Sequence, residues 1–299
     1  MHIKPYKQAI PSFSQHQKVD LLRLDLLHPI VSGNKFYKLR YYIEDAIENK
    51  ADTVASFGGP YSNHIVALAY TAKEAGLKSI GYIRTNEQEP MTPSLVEAKA
   101  YGMDLVYLGR SDFQSKKAAI LQKSSPNSSC YFVDEGGYGW IGVKGAATIL
   151  SGPAQDTTVN SYSEYDYIVC AVGTGTMIAG IINASNSNQK VIGIPVLKNA
   201  ESIADEIKTL LLIPSKDFTL LHEFHQGGYA KTTPAQIEFM NIFWEQEKIP
   251  TDIVYTGKVM FAVDQLVQAN YFKPGSKILV IHSGGLQGNR SLPSGTLLY

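Results

Sequence analysis

Cysteine is scarce in this chain of 299 residues. Only Cys130 and Cys170 occur, each in an apolar, β-rich run. Two buried thiols suit such positions better than a disulfide, and neither has the nearby Cys or His partners of a metal site. No resident metal is expected. Long apolar runs are missing as well, since nothing approaches the ~18 apolar residues of a membrane span. The opening Met1-His2-Ile3-Lys4-Pro5 lacks the apolar core of a secretory leader. A reducing, cytoplasmic setting is the expectation. Excess charge of either sign is absent too, with 27 Lys+Arg against 27 Asp+Glu. Without a net basic field, neither nucleic acid nor membrane is expected as a partner.

What is present is an ordinary globular composition, 44% hydrophobic and 18% charged, in a chain long enough for two domains. Apolar, β-branched runs alternate with amphipathic ones. Strands are expected at Thr53–Phe57, Ser79–Arg84, Leu105–Leu108, Tyr131–Val133, Tyr165–Val172, Val191–Val196, Leu220–Phe224 and Lys277–His282. Helices are expected at Leu39–Glu48, Asn63–Ala75, Leu95–Tyr101, Lys116–Lys123, Val143–Leu150, Thr176–Ala184, Ala200–Leu211, Pro234–Glu247 and Lys258–Asn270. Strand-then-helix alternation predicts an α/β fold of parallel sheets covered by helices on both faces. The polar stretch 151–161 reads as a domain boundary or a long surface loop.

Ligands in such folds bind beyond the carboxyl ends of strands, so the segments there carry the functional reading. Ser32-Gly33-Asn34-Lys35 runs into a helical pattern, which puts a lysine where the helix dipole disfavours positive charge. Lys35 is either a solvated cation or an amine held for chemistry. After the first strand, Gly58-Gly59-Pro60-Tyr61-Ser62-Asn63-His64 ends where an N-cap belongs, which offers either simple capping or a seat for a carboxylate. Gly173-Thr174-Gly175-Thr176 precedes another helix and suits a phosphate group. Ile178 stands where a dinucleotide fingerprint needs its third glycine, which favours a smaller phosphate ligand. Lys198 keeps an NADP-dependent reductase open as an alternative. Ser283-Gly284-Gly285 closes the last strand, and Tyr229 and Tyr255 follow glycine-rich or apolar segments.

In combination these segments resemble the pyridoxal-phosphate enzymes of the tryptophan-synthase-β fold group (fold type II). More narrowly they are similar to the family of 1-aminocyclopropane-1-carboxylate (ACC) deaminase and D-cysteine desulfhydrase. The motifs that carry the resemblance are 32–39, 58–64, 173–176, 254–258 and 282–285. It implies pyridoxal 5'-phosphate as cofactor, with Lys35 as the Schiff-base lysine. Asn63 would meet the cofactor's phenolic oxygen, and Gly173, Thr174, Gly175 and Thr176 would cradle its phosphate. Thr256 and Ser283 would flank the ring. Ser62, Asn63 and His64 would take the substrate, with Ser62, Tyr229 and Tyr255 joining Lys35 as catalytic groups. Small hydroxyls at Thr256 and Ser283, where ACC deaminases carry glutamate and leucine, resemble the D-cysteine desulfhydrase side. The implied enzyme is a lyase, or a deaminase of the hydrolase type, acting on a small amino acid. It would yield pyruvate, ammonia and sulfide from D-cysteine, or 2-oxobutanoate and ammonia from ACC. The resemblance further implies a homodimer, and a large domain of residues 1–45 plus 156–299 carrying a small inserted domain of 46–155.

Overall fold

A computed structural model describes residues 5–13, 16–86, 89–123, 129–151 and 160–299. Two sheets organise them. The larger has six strands in the order β1 (Tyr6–Ala9), β2 (Lys18–Arg23), β10 (Lys277–His282), β7 (Tyr167–Val172), β8 (Lys190–Pro195), β9 (Thr219–Leu220). All its pairings are parallel except the β1–β2 hairpin at one edge. The smaller sheet is wholly parallel, in the order β5 (Met103–Leu108), β4 (Lys78–Arg84), β3 (Thr53–Gly58), β6 (Cys130–Val133).

Parallel strands need crossovers, and helices supply them. They are α1 (Asn34–Glu48), α2 (Asn63–Glu74), α3 (Pro93–Ala100), α4 (Phe113–Lys123), α5 (Trp140–Ala147), α6 (Thr176–Ala184), α7 (Ile203–Thr209), α8 (Pro234–Glu247) and α9 (Thr256–Gln268). The central strands of the larger sheet are apolar on both faces, as burial under two helical layers requires. In β7, Ile168, Cys170 and Val172 enter one core cluster, while Tyr167, Val169 and Ala171 enter another. β10 divides the same way, with Leu279 and Ile281 on one side and Ile278 and Val280 on the other. A third core, built on Leu39, Val54, Leu68 and Ile83, binds α1 and α2 to the smaller sheet.

Several elements differ from the sequence expectation. The β1–β2 hairpin is not among the expected strands, and two of its charged residues, Asp20 and Arg23, are buried. Asp20 accepts the Tyr165 hydroxyl (2.6 Å), and Arg23 makes a bidentate pair with Asp25. The strand expected at Leu220–Phe224 is two residues, Thr219–Leu220, followed by a 3-10 turn at His222–Phe224. The first helix starts at Asn34 rather than Leu39, which places Lys35 inside its first turn. Helix 200–211 shortens to Ile203–Thr209. Cys130 and Cys170 are free thiols. Most of the polar stretch at 151–161 lies outside the described residues.

Candidate active site

Segments far apart in the chain meet where α1 begins. Gly33 has φ +67°, and a Cβ there would lie 1.7 Å from the Ser283 carbonyl oxygen, so only glycine permits this approach. The Asn34 N–H donates to that carbonyl (3.0 Å), and the Gly285 N–H donates to Ser32 Oγ (3.1 Å). Asn63 Nδ2 donates to the Gly285 carbonyl (3.1 Å). Three motifs are thereby latched at one point. A fourth contact adds the loop after β6: Lys38, buried one turn along α1, donates to the Gly136 carbonyl (2.7 Å).

Lys35 lies in the first turn of α1 and faces an inner pocket shared with Asn63, Gly173, Thr174, Tyr255 and Ser283. Among the described residues its ammonium has no hydrogen-bond or carboxylate partner. Burial lowers its pKa to about 8. Burial, and then the charge of Lys35, hold Lys38 well below the usual lysine range. The two lysines divide the work, since Lys38 is committed to Gly136 and Lys35 is uncommitted. A cation at a helix N-terminus is poorly placed, and here that placement favours the neutral, nucleophilic amine.

Opposite Lys35, β7 ends in the turn Gly173-Thr174-Gly175 and α6 begins. Gly175 caps the helix in a left-handed conformation, φ 77°. The first N–H groups of α6 lack intrahelical acceptors and form an anion seat. Gly173, Thr174 and Gly175 line the pocket. Thr176 does not, because it is buried with its hydroxyl 3.1 Å from that of Thr174.

The inner pocket opens, through Lys35 and Asn63, onto a cleft of about 1130 Å³. Ser62, Asn63, His64, Glu135, Tyr138, Tyr229 and Tyr255 border that cleft. Ser62 caps α2 by accepting the Ile65 N–H (3.4 Å). Asn63 keeps its Oδ1 buried and without a partner. His64 differs from the expected substrate ligand: it is 2% exposed, and its Nε2 meets Ser56 Oγ at 2.8 Å. Burial, then Lys35 and Lys38, push its pKa well below the usual value, so the ring is neutral. Tyr229 and Tyr255 stand edge to face, centroids 6.2 Å apart and planes at 75°. Burial raises the pKa of both phenols.

Thr256 also differs from expectation. Ser283 lines the inner pocket, but Thr256 lines neither the pocket nor the cleft. The reason is Asp252, a buried carboxylate that accepts the N–H groups of Val254, Tyr255 and Thr256 and the Thr256 hydroxyl (2.7 Å). It caps the start of α9 and turns Thr256 inward. Burial raises its pKa. No Asp or Glu lines the inner pocket among the described residues. Sequence reasoning missed Asp252, whose only signal is an acid just ahead of a helix. It also missed Asp25 and the role of His282. His282 donates from Nε2 to the Pro250 carbonyl (2.8 Å), and its Nδ1 accepts the Gly284 N–H (3.2 Å) with Asp25 at 3.4 Å. That anchors the 283–285 turn from behind.

Comparison with known proteins places this geometry. A family model described as "Pyridoxal-phosphate dependent enzyme" matches residues 7–284. The chain is similar to a putative 1-aminocyclopropane-1-carboxylate deaminase of Pyrococcus furiosus, 28% identical over 298 residues, covering 94% of this chain and 89% of that protein. It is also similar to the bifunctional D-cysteine desulfhydrase/1-aminocyclopropane-1-carboxylate deaminase, mitochondrial, of Arabidopsis thaliana, 25% identical, covering 95% of this chain and 76% of that one. The crystal structure of an ACC deaminase homologue superimposes with a TM-score of 0.80 at 24% identity, covering 96% and 90% of the two chains, which shows the shared fold. Among the described residues no helix is long and apolar enough to cross a membrane.

Proposed function

The chain belongs to the pyridoxal-phosphate dependent enzymes, and from that premise we propose that it deaminates a small amino acid by α,β-elimination in the manner of a D-cysteine desulfhydrase. The residues present fit the cofactor. Lys35 offers an unpartnered amine, the 173–175 turn offers N–H groups for a phosphate, and Asn63 keeps a buried acceptor unsatisfied. When bound, pyridoxal phosphate supplies an electron sink for the pair left on the substrate's Cα.

The observation that carries the reading is Lys35: an uncommitted, half-buried amine with its pKa lowered to about 8. Lys35 would hold the cofactor at rest and, once displaced by substrate, take the Cα proton as general base. Ser62 and the N-terminus of α2 would seat the substrate carboxylate. Tyr229 and Tyr255, whose phenol pKa values lie above the usual one, would hydrogen-bond the departing sulfur as protonated groups. The Cβ–S bond breaks with its electron pair on sulfur, and the remaining enamine hydrolyses with water to pyruvate and ammonia. Because among the described residues no carboxylate lines the inner pocket, the ring nitrogen would lack a strong proton-holding partner. A weaker sink suits expulsion of a good leaving group better than opening an unactivated cyclopropane. In this reading the two sheets mark the large domain and the inserted domain, residues 46–155, with the cleft between them.

The second reading is ACC deaminase, which is favoured by the names carried by the relatives. A panel of D-cysteine, L-cysteine, ACC, D-serine and β-chloro-D-alanine decides between the two. Pyruvate and sulfide from D-cysteine, at a kcat/KM at least tenfold above that for ACC, is the expected result. Preferential release of 2-oxobutanoate from ACC reverses the assignment, and no keto acid from any of the five rejects both.

A further inference from the structure

Lys258 lies in the first turn of α9 and is 0% exposed. Its ammonium donates to three backbone carbonyls: Val196 (3.4 Å), His225 (2.8 Å) and Gly228 (2.6 Å). Among the described residues no carboxylate lies within ion-pairing distance of it. With burial lowering its pKa and only the more distant Asp252 carboxylate opposing that shift, a buried ammonium with no carboxylate in contact is a costly way to fill space, and a methionine of similar length would pack there without that penalty. Its three acceptors suggest what the charge is for.

Val196 directly follows β8, while His225 and Gly228 belong to the turn that runs straight into Tyr229. This turn is strained. Gln226, Gly227, Gly228 and Ala230 have φ of 52°, 92°, 114° and 55°, a left-handed run that includes two residues with a Cβ. A segment in that conformation persists only when its surroundings over-determine it. Lys258 supplies two of its restraints and ties it to the end of β8. The same lysine stands three residues after Tyr255, the N-cap residue that immediately precedes α9. One buried cation therefore fixes both backbones that carry the facing phenols.

We propose that Lys258 is a positioning residue: it holds the strained 225–230 turn against α9 so that Tyr229 meets Tyr255 across the cleft. The proposal rests on the reading that assigns these two phenols to the leaving-group side of the reaction. It does not need Lys258 to touch substrate or cofactor, and Lys258 lines neither the inner pocket nor the cleft.

The test is Lys258→Met in the full-length holoenzyme, with Lys258→Gln as the variant that keeps an N–H donor. Three readouts are compared. Hydrogen exchange of a peptide spanning 222–233 should quicken at least tenfold in Lys258→Met, while the 173–184 segment stays within twofold of wild type. Cofactor affinity and KM should change less than threefold while kcat falls 10–100-fold, with Lys258→Gln recovering part of the loss. In a double-mutant cycle, adding Tyr229→Phe to Lys258→Met should cost less than a further twofold, because both changes remove the same placement. Unchanged exchange in the turn overturns the proposal whatever the reaction proves to be. Multiplicative losses in the cycle, or an equal fall in cofactor affinity and kcat, overturn it by showing a general structural role. If the substrate panel finds no elimination, the exchange experiment still decides whether Lys258 holds the turn. Should Lys258→Met fail to fold, Lys258→Gln is read on the same three scales.

Discussion

Replacing Gly285 with alanine tests whether the three latched motifs act as one unit. The glycine has φ +77°, and a Cβ there would sit 2.1 Å from Asn63 Nδ2. Alanine in the left-handed region costs about 1–2 kcal/mol. The contact also forces the Asn63 amide away from the Gly285 carbonyl, a hydrogen bond worth roughly 0.5–1.5 kcal/mol. The total is about 1.5–3.5 kcal/mol, and only the part carried by Asn63 falls on the cofactor site. A loss of about 0.5–1.5 kcal/mol there weakens pyridoxal phosphate binding about 2–12-fold. Titration of apoprotein with the cofactor, followed by absorbance, measures this directly. Gly76→Ala is the matched control, because Gly76 has φ +72° but nothing within 4 Å of the added Cβ. It should lose a similar increment of stability to strain and keep wild-type affinity. If Gly285→Ala binds cofactor within twofold of Gly76→Ala, the 283–285 turn does not position Asn63 and the reasoning fails.

Two further predictions concern stability. Asp252→Ala orphans the N–H groups of Val254, Tyr255 and Thr256. Partly offset by relief of a buried carboxylate, it should cost about 2–4 kcal/mol by urea unfolding; a change under 0.5 kcal/mol would show that the cap is dispensable. For pH, Lys35 and Lys258 both have folded-state pKa values lowered by burial from 10.5 to about 8. Between those two pH values the unfolded chain binds more protons than the folded one, so stability rises with pH across this window. The apoprotein should therefore gain stability from pH 8 to 9.5, at up to about 1.4 kcal/mol per pH unit per lysine, with a smaller gain in Lys35→Met; equal gains in the two proteins would remove Lys35 from the account.

Much of this site was legible in the sequence because its parts are punctuation. Gly33, Gly173, Gly175, Gly284 and Gly285 mark strand ends and helix starts, and those are the places where parallel α/β folds put ligands. Lys35 stood out because a cation at a helix start has to be explained. What was not legible depends on contacts between remote segments. β2 was not among the expected strands, since the partners that let it bury Asp20 and Arg23, chiefly Tyr165 and Gln8, are brought to it only by the fold. Thr256 was placed beside the ring because no local pattern shows that Asp252 captures its hydroxyl. His64 was assigned to substrate because Ser56, eight residues earlier on β3, faces it only once α2 packs on the sheet. Lys258 carries no local signal at all, since its three acceptors lie 30 to 62 residues away.

The central claim is that Lys35, and not its buried neighbour Lys38, is the amine that holds the cofactor. Apoprotein incubated with pyridoxal phosphate near pH 8, reduced with borohydride and mapped by mass spectrometry tests it most directly. The account predicts one phosphopyridoxyl group per chain, on Lys35, and neither label nor turnover in Lys35→Ala. A label on Lys38, or wild-type labelling and turnover in Lys35→Ala, would contradict it.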